Sequence, residues 1–493
     1  MSIKRIGYAL IVIGAFGVIG SIMVDRFGLG KPGIQAAQLL GILLGVILAF
    51  VGLGFINTYR TEKFNLLNRA RAICDYFLNL PSIVWVIVGF LLVYVMLFIF
   101  PVFFNSEHRI LYFNRYIPDA APIGLDLNTI VVFLRTWLTS NQSPYPTLFY
   151  PPLHHVLLAP LVLLDYPQSY YFVTMLTLAS FFVLSLLIPL LVNKNREYSI
   201  PIFFFVTSLF SYGLQFELER GQFNVITFTL CMIAIYLFYF HNSFRHLAYL
   251  LFSFSVQLRI YPAIFIIMFV SNWATWKQNI KRLFWIGILN LALLFVLGYT
   301  MFIDFIRSVS GKLDASWTWI GNHSITAFVY NLTNSNLGLF APNTLNWLKE
   351  HSTFISITLL VYFLICLAAV VVKDYVTKAR GLNPDLLLIC TIGGLIIPSV
   401  SHDYKLALLA GVMAICLSNR MVTSLRWKKM LSVFLITIAS LAYSITLFPF
   451  KYKPEYLKNS FPPLLVILTS VTLLSFIDAP KYLGVDETKE VQE

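Results

Sequence analysis

Five short polar segments interrupt the long apolar stretches of this sequence, and they hold the side chains that could do chemistry. The segments are DAAPIGLDLN at 119–128, ELERGQFN at 217–224, QLRIYP at 257–262, GNHS at 321–324 and SHDYK at 401–405. A carboxylate can take a proton from a hydroxyl group, and guanidinium or ammonium groups can hold a phosphate or stabilise developing negative charge. The pattern predicts a reaction centre if the fold brings these segments together.

The apolar stretches between the polar segments indicate the class of protein. Of the 493 residues, 58% are hydrophobic and only 12% are charged, and the mean hydropathy is +0.79. Soluble domains carry roughly 25% charged residues. Apolar runs of about 17–25 residues recur and can each cross a bilayer. We therefore expect an all-α polytopic membrane protein with about 12–14 transmembrane or re-entrant helices.

The distribution of charge argues against a nucleic-acid partner, and the positions of the cysteines argue against a disulfide framework. The net charge of +13 does not imply a nucleic-acid partner, because Lys and Arg accumulate in the cytoplasmic loops of membrane proteins. The five cysteines predict no disulfide framework, since none lies in a segment that we place outside the cell. They are Cys74, Cys231, Cys366, Cys390 and Cys416.

Hydropathy divides the chain into four regions. The predicted spans are 6–24, 34–56, 81–103, 169–192, 199–216, 222–240, 283–303, 352–372, 385–400, 404–418, 430–448 and 462–478. The predicted regions are an N-terminal two-helix transmembrane segment at 1–80, a core at 81–303 with a first external catalytic loop at 104–147, an external loop at 304–351, and C-terminal transmembrane helices at 352–493. The first span follows two basic residues and is interpreted as a retained anchor.

Basic residues predict the sidedness of the loops. Segments 57–80, 373–384 and 419–429 are rich in Lys and Arg, so we place them in the cytoplasm. Counting spans from these loops puts all five polar segments on the opposite face. We therefore expect one shared cavity on the extracytoplasmic side.

Two apolar segments are too short or too polar for a simple span. Segment 153–164 has twelve residues, which predicts a short re-entrant or surface helix. Segment 244–271 contains Arg259, and an arginine in the membrane costs about 3 kcal/mol or more unless it faces protein or water. Because Pro262 also breaks helices, this segment is predicted to form a hairpin with RIYP at its tip.

Each candidate residue also has a structural interpretation. Asp126 precedes a helical pattern and could be either an N-terminal helix residue or a general base. Arg220 could pair with Glu217 or Glu219, or it could bind a phosphate at the start of a helix near Gln222.

The other candidates leave similar alternatives open. Arg259 could form a salt bridge to a glutamate or bind a phosphate. Lys405 could extend its charged end towards water or act as another phosphate-binding cation. His154 and His155 could be interfacial or contact a phosphate.

Several short motifs resemble known membrane enzymes. Those similar to glycosyltransferase family 87 are Asp126, Tyr145, Tyr150-Pro151-Pro152-Leu153, Ala159-Pro160-Leu161 and Asn322-His323-Ser324. Those that also resemble GPI mannosyltransferase I are Arg220-Gly221-Gln222 with Asn224, and Arg259-Ile260-Tyr261-Pro262. Family 87 comprises polyprenyl-phosphate-mannose-dependent mannosyltransferases with the GT-C fold, and the resemblance covers roughly residues 105–405.

The resemblance and the polar segments together give expected roles to eleven residues. The expected catalytic carboxylates are Asp126, as base, and Glu219, which is either a second catalytic group or the partner that holds Arg220. The expected contacts to the donor phosphate are Arg220, Arg259, His323 and Lys405. The expected substrate-binding residues are Tyr150, Gln222, Asn224, Tyr261 and His402. The GPI enzyme has an Asp-x-Asp pair where this chain has Asp126-Leu127-Asn128, so a divalent metal is possible but not favoured.

The resemblance also implies a reaction. A sugar, with mannose preferred, would move from a polyprenyl-phosphate carrier to a lipid-linked or glycan acceptor on the extracytoplasmic face. Inversion follows if Asp126 acts as base in a single displacement, and the compact loops favour a bacterial plasma membrane. The alternatives are a polyprenyl-phosphate-arabinofuranose transferase and a non-enzymatic lipid or solute transporter. A transporter would favour internal repeats, and none is visible in the sequence. The expected partners are the donor, the acceptor and membrane lipids, without nucleic acid.

Overall fold

A computed structural model describes the chain in eleven ranges: 3–23, 124–140, 142–145, 147–193, 198–209, 211–313, 318–319, 321–334, 342–421, 459–477 and 482–484. Within these ranges the chain is helical and has no β-strand, only three isolated bridges between single residue pairs. The all-α prediction is confirmed. The predicted spans 34–56, 81–103 and 430–448 lie outside the described residues.

The described α-helices are numbered here in chain order. They are α1 (Ile3–Met23), α2 (Leu125–Ser140), α3 (Pro152–Leu158), α4 (Tyr166–Phe182), α5 (Ile188–Val192), α6 (Ser199–Leu209), α7 (Tyr212–Arg220), α8 (Asn224–Phe240), α9 (Arg245–Leu258), α10 (Trp276–Leu293), α11 (Tyr299–Leu313), α12 (Ile325–Thr333), α13 (Pro342–Glu350), α14 (Ser352–Val376), α15 (Pro384–Ile396), α16 (Leu409–Met421) and α17 (Phe461–Ile477). Helix α1 belongs to one compact unit of the chain, and α2 to α17 belong to a second.

Two described helical stretches are long and apolar enough to span a membrane, namely Tyr166–Val192 and α14. The first consists of α4, a π-helical turn at Val183–Leu187, and α5. Helix α6 and the segment Gly213–Arg220 meet at a bend of 50° and would qualify as one further broken span. Large apolar side chains are exposed along α14, as expected for a surface that faces lipid.

The two irregular segments have the shapes that their sequences predict. Segment 153–164 forms α3 followed by a 3₁₀ turn at Ala159–Leu163. Helix α9 ends at Leu258, Arg259 is extended with φ −151° and ψ 137°, and a 3₁₀ helix runs from Tyr261 to Phe269. The break at RIYP is confirmed, and the side of the membrane on which it lies stays a prediction.

One predicted span is divided at a glycine, and the region predicted as an external loop contains helices, while its place outside the membrane stays a prediction. The span expected at 283–303 is divided, because α10 ends at Leu293 and α11 begins at Tyr299. Gly298 lies between them with φ +88°, a conformation that glycine adopts without strain and that ends a helix. The region predicted as an external loop at 304–351 contains the end of α11 together with α12 and α13.

The core of the second unit lies around α15 and α16. Every residue of α15 is buried, as is typical of a helix that is apolar on all sides. Helix α16 packs closely on its neighbour at Gly411, where an added Cβ would lie 2.1 Å from the carbonyl oxygen of Leu184. This packing requires glycine at position 411.

We expect Gly411→Ala to destabilise the protein by about 1–3 kcal/mol or more, because the new methyl group would meet backbone that cannot rotate away. Thermal unfolding of purified protein in detergent measures the change. The matched control is Gly287→Ala in α10, where an added Cβ meets nothing within 4 Å. That substitution should be neutral or stabilise by up to ~1 kcal/mol through helix propensity. Equal melting temperatures for the two variants would contradict the packing argument.

Candidate active site

The turn after α7 places several of the candidate residues. Gly221 has φ +64°, and its N–H donates to the carbonyl of Leu218 at 3.1 Å. The N–H of Gln222 donates to the carbonyl of Glu217 at 3.0 Å. These two bonds form a Schellman motif, which ends a helix with glycine in the left-handed conformation. The chain therefore reverses between α7 and α8 within three residues.

A second glycine holds the start of α2 against this turn. Gly124 has φ +80°, and its N–H donates to the carbonyl of Glu219 at 2.6 Å. A Cβ added to Gly221 would lie 2.8 Å from the Cβ of Leu127 and 3.5 Å from the Cα of Gly124. Since Gly221 lacks a side chain, the two backbones approach closely, and Gly124 fits beside Tyr166 and Tyr170, which an added Cβ would meet at 2.6 Å. Asp126, in the first turn of α2, therefore faces the residues that follow α7.

Gln222 joins Asp126 to Arg259. Its Nε2 donates to Oδ2 of Asp126, and its Oε1 accepts from Nη2 of Arg259. A carboxylate can only accept and a guanidinium can only donate, so the amide has one orientation that satisfies both. Nη1 of Arg220 lies 3.7 Å from Oδ1 of Asp126. The four side chains form one continuous polar chain, called here the ionic centre.

Aromatic rings hold the cations beside the ionic centre. The guanidinium of Arg259 lies 4.3 Å from the centre of the Tyr150 ring. Nζ of Lys405 donates to the carbonyl of Val400 at 3.0 Å and lies 5.3 Å from the centre of the Tyr261 ring. Ring faces attract cations, most strongly away from water.

These groups line one cavity of about 920 Å³. Nine of the eleven residues predicted for the site line it: Asp126, Tyr150, Arg220, Gln222, Asn224, Arg259, Tyr261, His402 and Lys405. The lining also includes an aliphatic surface, called here the apolar wall, made of Ile260, Ile264, Val309, Ile397 and Pro398. A cavity that is mainly apolar with a few convergent polar groups is the usual form of a ligand site.

Glu219 and His323 are the two predicted residues that do not line the cavity. Oε2 of Glu219 lies 3.3 Å from Nε of Arg220, so this carboxylate contacts the guanidinium. His323 is fully buried, and its ring nitrogens lie 3.1 Å from Oδ1 of Asp403 and 3.3 Å from Oγ of Ser401. His154 and His155 are also fully buried and do not line the cavity.

The GNHS and SHDYK segments are joined behind the cavity. Oδ1 of Asn322 accepts from the N–H of Ser324 at 3.1 Å and of Ser401 at 3.0 Å. The N–H of His323 donates to the carbonyl of Ser401 at 2.9 Å, and that of Asp403 donates to the carbonyl of Gly321 at 2.8 Å. This network supports the 401–405 segment, which carries His402 and Lys405.

Glu217 accepts hydrogen bonds at the start of α8, a role that the sequence did not predict. The helix after the turn was expected to begin near Gln222 and to direct its free N–H groups at a bound anion. Instead α8 begins at Asn224, and the N–H of Val225 donates to Oε1 of Glu217 at 3.0 Å. Nδ2 of Asn224 donates to the other carboxylate oxygen at 3.0 Å. The anion at this helix end is therefore the protein's own carboxylate, and the turn places it there.

Four aromatic side chains of the cavity were also not predicted as a group. Phe216, Trp319, His402 and Tyr404 all line it and contact one another. Only His402 was selected from the sequence. Phenylalanine, tyrosine and tryptophan are so frequent in this chain, with 44, 26 and 9 residues, that no sequence signal distinguishes Phe216, Trp319 and Tyr404.

His402 behaves as a neutral ring. Burial, together with the positive charges of Lys405 and Arg220, lowers the pKa of His402 from 6.5 to about 4. At neutral pH it can accept or donate a hydrogen bond but adds no positive charge.

Within the eleven described ranges, no three His, Cys, Asp or Glu side chains are placed to share a metal ion. That a divalent metal is not favoured stays a prediction.

The helices are those of a membrane protein, and the cavity gathers most of the candidate site residues. The sequence profile of glycosyltransferase family 87 matches residues 148–401, just over half of the 493 residues. The chain belongs to glycosyltransferase family 87, and it is a membrane glycosyltransferase. No curated protein matches it. The matched range includes Arg220 and Arg259, whereas Asp126 and Lys405 lie outside it.

We expect Glu217→Ala to lower stability by about 1–3 kcal/mol, because it leaves the Val225 N–H and the Asn224 amide without their partner in a buried site. The Glu217→Gln variant should lose less stability than Glu217→Ala. Its oxygen can accept from Val225, and rotation of the Asn224 amide would present Oδ1, which has no partner now, to the new amide group. Thermal unfolding in detergent compares the variants, and a larger loss for the glutamine variant would contradict this geometry.

His402 should make stability depend on pH in the acid range. A histidine whose pKa is lowered by folding is protonated first in the unfolded chain, so stability falls as the pH drops from about 6.5 towards about 4. We expect His402→Phe to keep the ring and to show a smaller fall in melting temperature between pH 7 and pH 4.5. The control His246→Phe changes an exposed ring and should follow the parent protein. Parallel curves for all three would rule out this contribution.

Proposed function

We propose that this protein transfers a sugar, with mannose preferred, from a polyprenyl-phosphate carrier to a lipid-linked or glycan acceptor on the extracytoplasmic face of a bacterial plasma membrane. The observation that carries the proposal is the combination of Asp126, three cations and an apolar wall around one cavity. Sidedness rests on the basic loops of the sequence.

The cations suit the phosphate of the donor. Arg220, Arg259 and Lys405 line the same cavity, and charge on a leaving phosphate is stabilised best by cations already positioned in a site with little water. The apolar wall suits the prenyl chain, because burying CH₂ groups contributes about 0.8 kcal/mol each. A donor with a charged phosphate and a long apolar chain fits both surfaces.

Asp126 suits the role of general base. Its Oδ2 accepts from Gln222, which orients the carboxylate and leaves Oδ1 towards the cavity cations. In the proposed reaction the acceptor oxygen forms a bond to the anomeric carbon while the bond from that carbon to the phosphate oxygen breaks. The acceptor proton moves to Asp126, and polyprenyl phosphate leaves with the electron pair. This single displacement inverts the anomeric carbon.

Glu219 and His323 suit supporting roles. The contact between Glu219 and Arg220 at 3.3 Å favours a role for this carboxylate in holding the arginine, rather than a second catalytic one. The hydrogen bonds of His323 to Asp403 and Ser401 favour a role in supporting the segment that carries Lys405.

We expect Asp126→Asn to lower the transfer rate by ~100-fold or more, since general base catalysis contributes about 10²–10⁴. The asparagine can still accept from Gln222, so the melting temperature should change little. The assay supplies radiolabelled polyprenyl-phosphate mannose and a membrane lipid extract to purified protein in detergent. Asp165→Asn, an exposed carboxylate, is the control and should keep full activity.

Two outcomes would contradict different parts of the proposal. Full activity of Asp126→Asn would remove the base assignment and leave the donor assignment intact. If the parent protein transfers no label from mannose, arabinofuranose, glucose or galactose donors, the polyprenyl-phosphate donor is wrong.

A further inference from the structure

Four aromatic side chains form a closed ring in the cavity lining. Phe216 and Trp319 lie 5.8 Å apart between ring centres, and Trp319 and His402 lie 5.5 Å apart, both edge to face. His402 and Tyr404 lie 5.5 Å apart, also edge to face, and Tyr404 and Phe216 lie 5.4 Å apart. This set, called here the aromatic wall, contributes four rings from three separate segments to one surface.

The aromatic wall adjoins the ionic centre. The guanidinium of Arg220 lies 5.5 Å from the centre of the Phe216 ring and 3.7 Å from Oδ1 of Asp126. A ligand group on the wall would therefore lie close to the proposed base.

The chemistry of the wall favours a sugar over a phosphate. Ring faces carry negative charge density, and His402 adds no positive charge at neutral pH, so the faces of these rings do not attract an anion. The C–H groups on one face of a sugar ring are apolar and weakly positive, and they pack well on an aromatic face. Trp319 is still 39% exposed, which leaves indole surface for such a contact.

The position of the Trp319 ring depends on a glycine. An added Cβ on Gly321 would lie 2.2 Å from two carbons of the indole ring, because the ring folds back over this residue. A side chain at position 321 would have to displace the indole. A substitution such as Gly321→Ala would therefore move the Trp319 ring without removing it.

We propose that the aromatic wall is the subsite for a sugar ring of the acceptor, whose hydroxyl then lies against Asp126. This proposal rests on the proposed function for the role of Asp126. The acceptor then presents a glycan, rather than a lipid alcohol, at the aromatic wall. The aliphatic apolar wall remains the surface for the prenyl chain.

The first experiment measures binding and needs no reaction. Purified protein in a detergent without sugar groups is mixed with methyl α-mannoside, methyl α-glucoside or methyl α-galactoside, and saturation-transfer NMR detects ring protons in contact with the protein. We expect a signal with at least one glycoside, weakened about tenfold in apparent affinity by Trp319→Ala. Gly321→Ala should have a similar effect, and Trp319→Phe should restore part of it.

A matched control is Trp347→Ala. Trp347 is 52% exposed and lies in α13, stacked on His351 with ring centres 4.5 Å apart, and it does not line the cavity. This variant should bind as the parent does. Asp126→Asn should also bind the glycoside, because it changes the base and leaves the rings in place.

The second experiment separates acceptor from donor. In the transfer assay, Trp319→Ala should raise the KM for the acceptor about tenfold and leave the KM for the donor unchanged. A raised donor KM with unchanged acceptor KM would assign the wall to the prenyl chain and overturn the proposal. Absence of a Trp319-dependent signal with all three glycosides would also overturn it. Trp319-dependent binding without any transfer would instead leave the subsite standing and contradict the proposed donor.

Discussion

The close contact between two glycine-containing turns is the constraint on which the proposed site depends. Gly221 ends α7 in a left-handed conformation, and Gly124 begins α2 in another, with its N–H bonded to the carbonyl of Glu219. Any larger side chain at position 221 would collide with Leu127. Because both positions are glycine, Asp126 reaches Gln222 and Arg220, although more than ninety residues separate them in sequence.

The charged groups around this contact are tolerated because each has a hydrogen-bonding, ionic or aromatic partner. Glu217 holds the start of α8, the amide of Gln222 connects Asp126 to Arg259, and Tyr150 covers the Arg259 guanidinium. An ionisable group in an apolar environment is costly unless it is hydrogen-bonded and paired. The turn between α7 and α8 supplies several of these partners, so the same few residues satisfy the buried charges and shape the cavity.

The surface and the interior of this protein differ in the polarity of their side chains, and one physical reason explains the difference. Helix α14 exposes large apolar residues such as Phe354 and Ile365, whereas α15 buries apolar and polar residues alike. Lipid is as apolar as the helices that it surrounds, so the outer face gains nothing from polarity. The polar groups of the cavity therefore lie inside the protein, where the helices break at Gly221 and Arg259. Such an interior suits the donor proposed above, which is both charged and apolar.

Composition and hydropathy determined by themselves that this is an all-α membrane protein, because apolar run length is a local property of the chain. The break at Arg259–Pro262 was also predictable, since a charged residue and a proline each disrupt a membrane helix at their own position. Only the tertiary structure decided which polar residues meet. In the folded protein, Arg259 lies against the Tyr150 ring, and His323 contacts Asp403 instead of lining the cavity. Glu217 accepts a hydrogen bond from the Val225 N–H at the start of α8. The contacts of Arg259 and His323 join residues from distant segments, and that of Glu217 with Val225 crosses a turn. Their distances depend on packing at Gly124, Gly221 and Gly321, which no local pattern encodes.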